Sequence, residues 1–193
     1  MLLKFLVTVV FLNSVNAAIV PLGGNDWLIN DNGTYSVRGQ VPGTIHTILL
    51  AANKIPEPYT EYNDINLRSL IYRPWTFRKN FTLTDDFLAS NEFSLHFDQI
   101  DTVANVTLNG CFLGRTNNMF IDYEFNVERT CLQANNEIRI DFESPILYAL
   151  SQAQAYNESV PPECVPDMYQ GECHVQFMRK EPCSFSWDWV NIS

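Results

Sequence analysis

Short segments in which apolar and polar residues alternate constrain the fold of this chain more than any other feature. From Trp75 to Leu83 apolar side chains share one face, interrupted only by Lys79. The same alternation recurs at Phe93, Leu95 and Phe97, at Ala104, Val106 and Leu108, at Phe125 and Val127, and at Ile138, Ile140 and Phe142. A period of two is that of a strand with one buried face. Many such strands predict a mainly β chain, and we expect a jelly-roll-like β-sandwich with a few short helices.

Turn and capping residues mark where the elements begin and end. Asn109-Gly110 predicts a tight hairpin, because both central positions of a type I′ turn need positive φ. Thr44 and Ser144 suit helix N-caps, and Pro145 suits a first helical position. The remaining predicted elements are strands at 27–30, 36–41, 111–114 and 174–177, and helices at 45–53, 63–70 and 145–157.

The first 17 residues have the pattern of a secretory signal peptide. Lys4 supplies a positive start, residues 5–12 form an apolar run, and Val15-Asn16-Ala17 is a small-residue cleavage site. That run is much shorter than the ~20 residues of a membrane span. We therefore expect a signal peptide at 1–17 and one β-sandwich domain at 18–193.

The negative net charge argues against nucleic acid as a partner. The formal charge is −10 at pH 7, whereas nucleic-acid binding requires clustered Lys and Arg. Asn-x-Ser/Thr sequons, which accept glycans in secreted chains, occur at Asn32, Asn80, Asn105, Asn157 and Asn191. They favour passage through the secretory pathway.

Five cysteines leave one unpaired if the others form disulfides. Cys164 and Cys173 bracket a short loop, and we expect a disulfide between them. Cys183, between Pro182 and an aromatic run, is expected to be a buried free thiol, and the pairing of Cys111 and Cys131 stays open. The histidines are scattered and no Cys-x-x-Cys occurs, so we expect neither a metal site nor a cofactor.

Two indole rings flank one carboxylate at Trp187, Asp188 and Trp189. Aromatic faces can cover the C–H face of a sugar, and a carboxylate can accept hydrogen bonds from its hydroxyls. In a regular strand Asp188 would point away from both rings, so a bend is needed to bring all three to one ligand. Two tryptophans and an acid can also simply close a core, and the triplet alone leaves both interpretations open.

The residues around this triplet resemble the segment that ends the first domain of lysosomal β-mannosidases, members of glycoside hydrolase family 2. The resemblance covers most of the mature chain and is carried by residues 41–44 (VPGT), 72–81 (YRPWTFRKNF), 101–110 (DTVANVTLNG) and 179–189 (RKEPCSFSWDW). One departure is Val190, where the family has Gly-Pro after the second Trp.

The resemblance implies a galactose-binding-domain-like sandwich in which Trp187, Asp188 and Trp189 contact terminal β-mannose of an oligosaccharide. It supports the Cys164–Cys173 pair and implies a lysosomal location, with secretion as the alternative. It also places both catalytic glutamates on a downstream (β/α)₈ barrel, which needs about 250 residues. We therefore expect no catalytic residue in this chain and no hydrolysis by the chain alone.

Acidic residues of the chain itself offer no obvious catalytic pair, although glycoside hydrolysis normally uses two carboxyl groups. Asp98 and Asp101 flank Gln99-Ile100, and we interpret them as solvated carboxylates at a strand end. Glu181 beside Lys180 is interpreted as a surface charge. Two alternatives to a β-mannosidase domain remain: a free-standing secreted lectin, and an interaction domain that docks on another chain.

Overall fold

Two antiparallel sheets hold the strands in the described part of this chain. The computed structural model describes residues 7–9, 18–156, 158–161, 164 and 171–185. Within them the strands are β1 (Val7–Val9), β2 (Val20–Pro21), β3 (Gly24–Asn30), β4 (Ser36–Val41), β5 (Trp75–Thr82), β6 (Ser94–Phe97), β7 (Ala104–Leu108), β8 (Cys111–Thr116), β9 (Tyr123–Asn126) and β10 (Asn135–Phe142). The helices are α1 (Ile45–Ala51), α2 (Asn63–Asn66), α3 (Asp85–Leu88) and α4 (Pro145–Tyr156).

The larger sheet has six strands in the order β4-β3-β5-β10-β7-β8. Its centre is β5, where Phe77 lies opposite Ile29 of β3 and Ile140 of β10. The predicted hairpin turn is confirmed, with positive φ at Asn109 (50°) and Gly110 (84°). The alternation predicted for β5, β7 and β10 therefore sets which side chains face the core.

The smaller sheet has the order β2-β1-β6-β9. Its strand β1 lies within the predicted signal peptide and pairs antiparallel with both β2 and β6. Cleavage after Ala17 would remove β1 from the sheet. The signal peptide itself stays a prediction.

Apolar side chains of both sheets meet in one main cluster, as expected of a sandwich. Trp27, Phe77 and Phe97 are its largest fully buried members. Gly114 of β8 in the larger sheet leaves room for the Phe125 ring of β9 in the smaller sheet, since a Cβ atom at Gly114 would lie 2.4 Å from Cε1 of Phe125. The prediction of a mainly β sandwich with short helices is confirmed.

Lys79, which interrupts the apolar face of β5, has a buried side chain with specific partners. Its Nζ donates to Oδ1 of Asp26 at 2.5 Å and to the carbonyl oxygen of Gly23 at 3.1 Å. The ammonium group is thus neutralised and hydrogen-bonded, which is the condition for burying a charge. The interaction also lowers the pKa of Asp26.

Helix boundaries follow the capping residues. Thr44 caps α1: its Oγ1 accepts from the Thr47 backbone N–H at 3.1 Å, and Thr47 Oγ1 accepts from the Thr44 N–H at 2.9 Å. The predicted helix at 63–70 is instead α2 followed by a 3₁₀ turn, Arg68–Leu70. Sequence reasoning did not predict α3, although Thr84 caps it by accepting from the Phe87 N–H.

The strand predicted at 174–177 is wrong. Val175–Phe177 is a 3₁₀ turn that begins after His174, whose φ is 69°. A residue with left-handed backbone does not continue an extended strand. The short apolar alternation of this segment therefore did not decide its conformation.

Disulfides join Cys164 to Cys173 and Cys111 to Cys131. The second pair, which the sequence left open, links the start of β8 to the 3₁₀ turn Arg129–Cys131. Cys183 is free and half-buried. Burial raises the pKa of its thiol, and the negative charge of the nearby Glu181 raises it further.

Candidate functional site

The sugar-contacting triplet predicted from the sequence, Trp187, Asp188 and Trp189, lies outside the described residues. What the structure describes is the segment that leads to it, residues 178–185, here called the approach segment. Its backbone runs beside the loop between β8 and β9, with an isolated parallel bridge between Asn118 and Arg179. The Met119 N–H donates to the Arg179 carbonyl oxygen at 3.0 Å. The approach segment is therefore attached to the sandwich before the triplet begins.

A buried ion pair adds a second attachment. Lys180 Nζ lies 2.6 Å from Oδ2 of Asp101, and each side chain is only 3% exposed. The interpretation of Asp101 as a solvated carboxylate is wrong. Its carboxylate is buried against the ammonium group of Lys180, which is distant in sequence. Asp98 is exposed, as expected.

Sequence reasoning did not predict the burial of Lys180. In the structure Met178 is buried, Arg179 exposed and Lys180 buried. The sequence Met178-Arg179-Lys180 has no apolar–polar alternation, so no local signal placed Lys180 on the inner face. Glu181, interpreted as a surface charge, is half-buried, and its carboxylate accepts from Ser184 Oγ at 3.3 Å.

The ion pair lines a cavity of about 80 Å³. Other side chains that line it are His46, Arg73, Trp75, Phe77 and Glu143. At roughly 10–15 Å³ of such volume per water, the cavity has room for several waters but not for a sugar ring with its hydroxyls. Three of its charged groups take part in ion pairs within the fold, Lys180 with Asp101 and Arg73 with Asp31.

Among the titratable side chains that line this cavity, His46 has the largest change in pKa. Burial, and in addition the positive charge of Lys180, lowers its pKa from 6.5 to about 4. A neutral imidazole is therefore the form present in the folded protein above pH 5. In an unfolded chain the same side chain takes up a proton near pH 6.5.

Acidification between pH 6.5 and 4 is expected to destabilise the fold through His46. In that window the unfolded chain binds a proton on His46 that the folded chain does not, so the free energy of unfolding falls as pH falls. Thermal melts from pH 7 to 4.5 should show a smaller loss of Tm in His46→Gln than in the wild type. Equal losses in the two proteins would contradict this assignment.

Two residues of the 72–81 motif connect distant elements. Arg73 Nη1 donates to Oδ2 of Asp31 at 2.6 Å. Tyr72 donates its hydroxyl proton to Oε2 of Glu172 at 2.7 Å, and Arg68 lies 3.1 Å from the same carboxylate. Burial, with Glu172 adding, raises the pKa of Tyr72 to about 12. The motif thus ties the core sheet to the end of the disulfide loop.

Asp31 is held ionised despite its burial. Burial alone opposes ionisation, but hydrogen bonds from the Tyr35 N–H, Arg73 and the Gly33 N–H outweigh it and lower the pKa. Accepting several hydrogen bonds stabilises the charged form of a carboxyl group. Asp31 therefore organises the turn between β3 and β4.

The predicted glycan acceptors differ in exposure. Asn32 and Asn80 are exposed and Asn105 is half-buried, while Asn157 and Asn191 lie outside the described residues. The exposed positions meet the steric requirement for modification. Among the described residues, no helix is long and apolar enough to cross a bilayer.

Comparison with known proteins gives consistent matches. The family model "Glycosyl hydrolase 2 galactose-binding domain-like" matches residues 27–193. The beta-mannosidase of Capra hircus is 39% identical over 171 residues, covering 88% of this chain and 19% of its own length. A probable beta-mannosidase of Caenorhabditis elegans is 37% identical over 175 residues, covering 89% of this chain and 19% of its own length.

A solved structure has the same architecture. The crystal structure of beta-D-mannosidase from Dictyoglomus thermophilum superimposes with a TM-score of 0.78 at 29% identity, over 89% of this chain and 20% of that one. The chain thus spans about a fifth of the length of the curated relatives it matches.

Proposed function

Because the chain belongs to the galactose-binding-like domains of glycosyl hydrolase family 2 and is similar to the amino-terminal part of beta-mannosidases, we propose that it supplies one wall of a β-mannoside site. In this proposal Trp187 and Trp189 cover the sugar, and Asp188 accepts hydrogen bonds from its hydroxyls. The substrate is a terminal, non-reducing β-mannose of an oligosaccharide.

The attachment of the approach segment is the observation that carries this proposal. Backbone contacts to Asn118 and Met119 and the buried pair of Lys180 with Asp101 hold this segment against the sandwich. A binding group gains from being held in place before the ligand arrives. The match of the family model, which includes residues 187–189, supports giving the triplet the sugar-contacting role that the resemblance implies.

The catalytic carboxylates, in this proposal, come from polypeptide that follows this domain in the longer relatives. The chain alone should leave a β-mannoside intact, because two suitably spaced carboxyl groups are needed for hydrolysis. Its sugar affinity should be weak, with a Kd on the order of 1–10 mM, since a single wall buries only part of a ligand. We place the protein in the lysosome by way of the secretory pathway, an assignment supported by the exposed sequons.

Substitution of Asp188 by alanine is expected to weaken mannose binding at least about tenfold, because it removes a charged hydrogen-bond acceptor. Calorimetric titration of the mature chain with mannose and a short β-mannoside measures the effect. Asp86→Ala is the matched control, since Asp86 is an exposed carboxylate on α3. Equal affinities of the wild type and Asp188→Ala would overturn the role of Asp188.

A second candidate function, an interaction domain, is favoured by one surface. Phe120 and Ile121, at the tip of the β8–β9 loop, are 62% and 47% exposed. They lie beside Met119, which contacts the approach segment. Exposed apolar residues at such a place suit packing against a further protein surface.

A further inference from the structure

We propose that the ion pair of Lys180 with Asp101 is a positioning device for Trp187, Asp188 and Trp189. The inference rests on the proposed function and extends it to residues that do not touch the sugar. Lys180 is seven residues before Trp187, and its ammonium group reaches a carboxylate 79 residues away in sequence at 2.6 Å. The pair therefore joins the approach segment to the sheet framework at one defined point.

The carboxylate end of this pair is fixed by the larger sheet. Asp101 accepts a hydrogen bond from the hydroxyl of Thr102, and the Thr102 carbonyl oxygen accepts from Thr116 Oγ1 at 2.8 Å. Thr116 is fully buried at the end of β8, and its Oγ1 also accepts from the Ala104 N–H at 3.1 Å. Asp101 thus lies just before β7 and is connected through Thr102 to the end of β8.

The ammonium end is fixed by the backbone on both sides of Lys180. The preceding residue, Arg179, accepts from the Met119 N–H at 3.0 Å. The following residue, Glu181, directs its N–H at Sδ of Met119 at 3.2 Å. Met119 and Met178 are both buried, so apolar packing accompanies these contacts.

Little chain separates this attachment from the triplet. Ser184 is 2% exposed, and its N–H donates to the Glu181 carbonyl oxygen at 3.1 Å. Trp187 is three residues further on, and three residues span at most about 11 Å. A change at Lys180 that releases the approach segment therefore removes an attachment that shortly precedes the triplet along the chain.

A buried ion pair suits positioning better than it suits stability. Removing water from two charges offsets most of their attraction, so the net stabilisation is small. Separating the two groups, however, leaves an uncompensated buried charge, and this makes one arrangement strongly preferred. An apolar contact at the same place would tolerate sliding of the segment.

Hydrogen exchange measured by mass spectrometry on the mature chain tests the proposal without any sugar. Lys180→Met keeps the aliphatic stem and removes the charge, and we expect amides of residues 178–185 to exchange at least about tenfold faster. Amides of β10 should keep their rates. Arg179→Met is the matched control, because it removes the same charge from the adjacent, exposed position.

A second variant keeps the test valid if Lys180→Met proves too unstable to study. Asp101→Asn combined with Lys180→Gln replaces the ion pair with two neutral amides and leaves no isolated charge, so exchange in residues 178–185 should return largely to the wild-type rate. Unchanged exchange in Lys180→Met, or equal acceleration in β10 and residues 178–185, would overturn the positioning role.

Mannose titration of the same variants separates this inference from the proposed function. Faster exchange in Lys180→Met together with weaker mannose binding supports both. Faster exchange with unchanged mannose affinity would overturn the positioning of the sugar site. The remaining outcome is that Lys180→Met and the wild type exchange at equal rates while mannose binding still depends on Asp188. This result would support the proposed function and overturn the positioning role of the ion pair.

Discussion

Truncation of Phe77 to alanine is expected to lower the free energy of unfolding by about 3–5 kcal/mol. Phe77 is 2% exposed at the centre of the larger sheet. It packs edge-to-face against Phe142 with ring centroids 5.3 Å apart. The loss combines the transfer of the ring from the core to water with a void that adjoins an existing cavity.

Urea unfolding followed by circular dichroism measures this effect. Phe112→Ala is the matched control, since Phe112 is also on a strand but is 65% exposed. Its substitution should change the free energy of unfolding by no more than about 0.5 kcal/mol. Similar losses in the two variants would contradict the assignment of Phe77 to the core.

Removal of the Cys111–Cys131 disulfide by substituting both residues with serine is expected to cost about 3 kcal/mol. The bond closes a sequence separation of 20 residues, and its loss restores conformational freedom to the unfolded chain. The loop it closes contains β9, which pairs with β6 in the smaller sheet. Opening the loop therefore removes a constraint that spans the two sheets.

Urea unfolding without reductant compares this variant with Cys183→Ser. Cys183 is the free cysteine, so the control makes the same chemical change without opening a loop. A double variant as stable as Cys183→Ser would show that the disulfide does not constrain the unfolded state.

The triplet at residues 187–189 illustrates which features of a binding site can be predicted from local sequence. Two tryptophans and a carboxylate specify a surface able to cover a sugar and accept its hydrogen bonds. Where that surface lies depends on the approach segment, whose attachment uses Asp101 and Met119 from remote strands and loops. Their proximity to Lys180 is a product of folding and has no local pattern.

Lys79 and Asp101 illustrate the same limit for single residues. A lysine inside an apolar alternation predicts an interruption, yet Lys79 is buried because Asp26 and Gly23 satisfy its ammonium group. An aspartate near a strand end suggests solvent, yet the side chain of Asp101 is only 3% exposed because Lys180 neutralises it. Burial of a charge depends on its partner, which can be distant in sequence.

By itself, the sequence determined the two-residue period of β5, β7 and β10, the Asn109-Gly110 hairpin turn and the capped start of α1, because each depends on residues adjacent along the chain. Only the tertiary structure decided the Cys111–Cys131 pairing, the 3₁₀ turn at Val175–Phe177 and the burial of Lys180 with Asp101. These features depend on which distant segments pack together, and packing energy routinely overrides local preference.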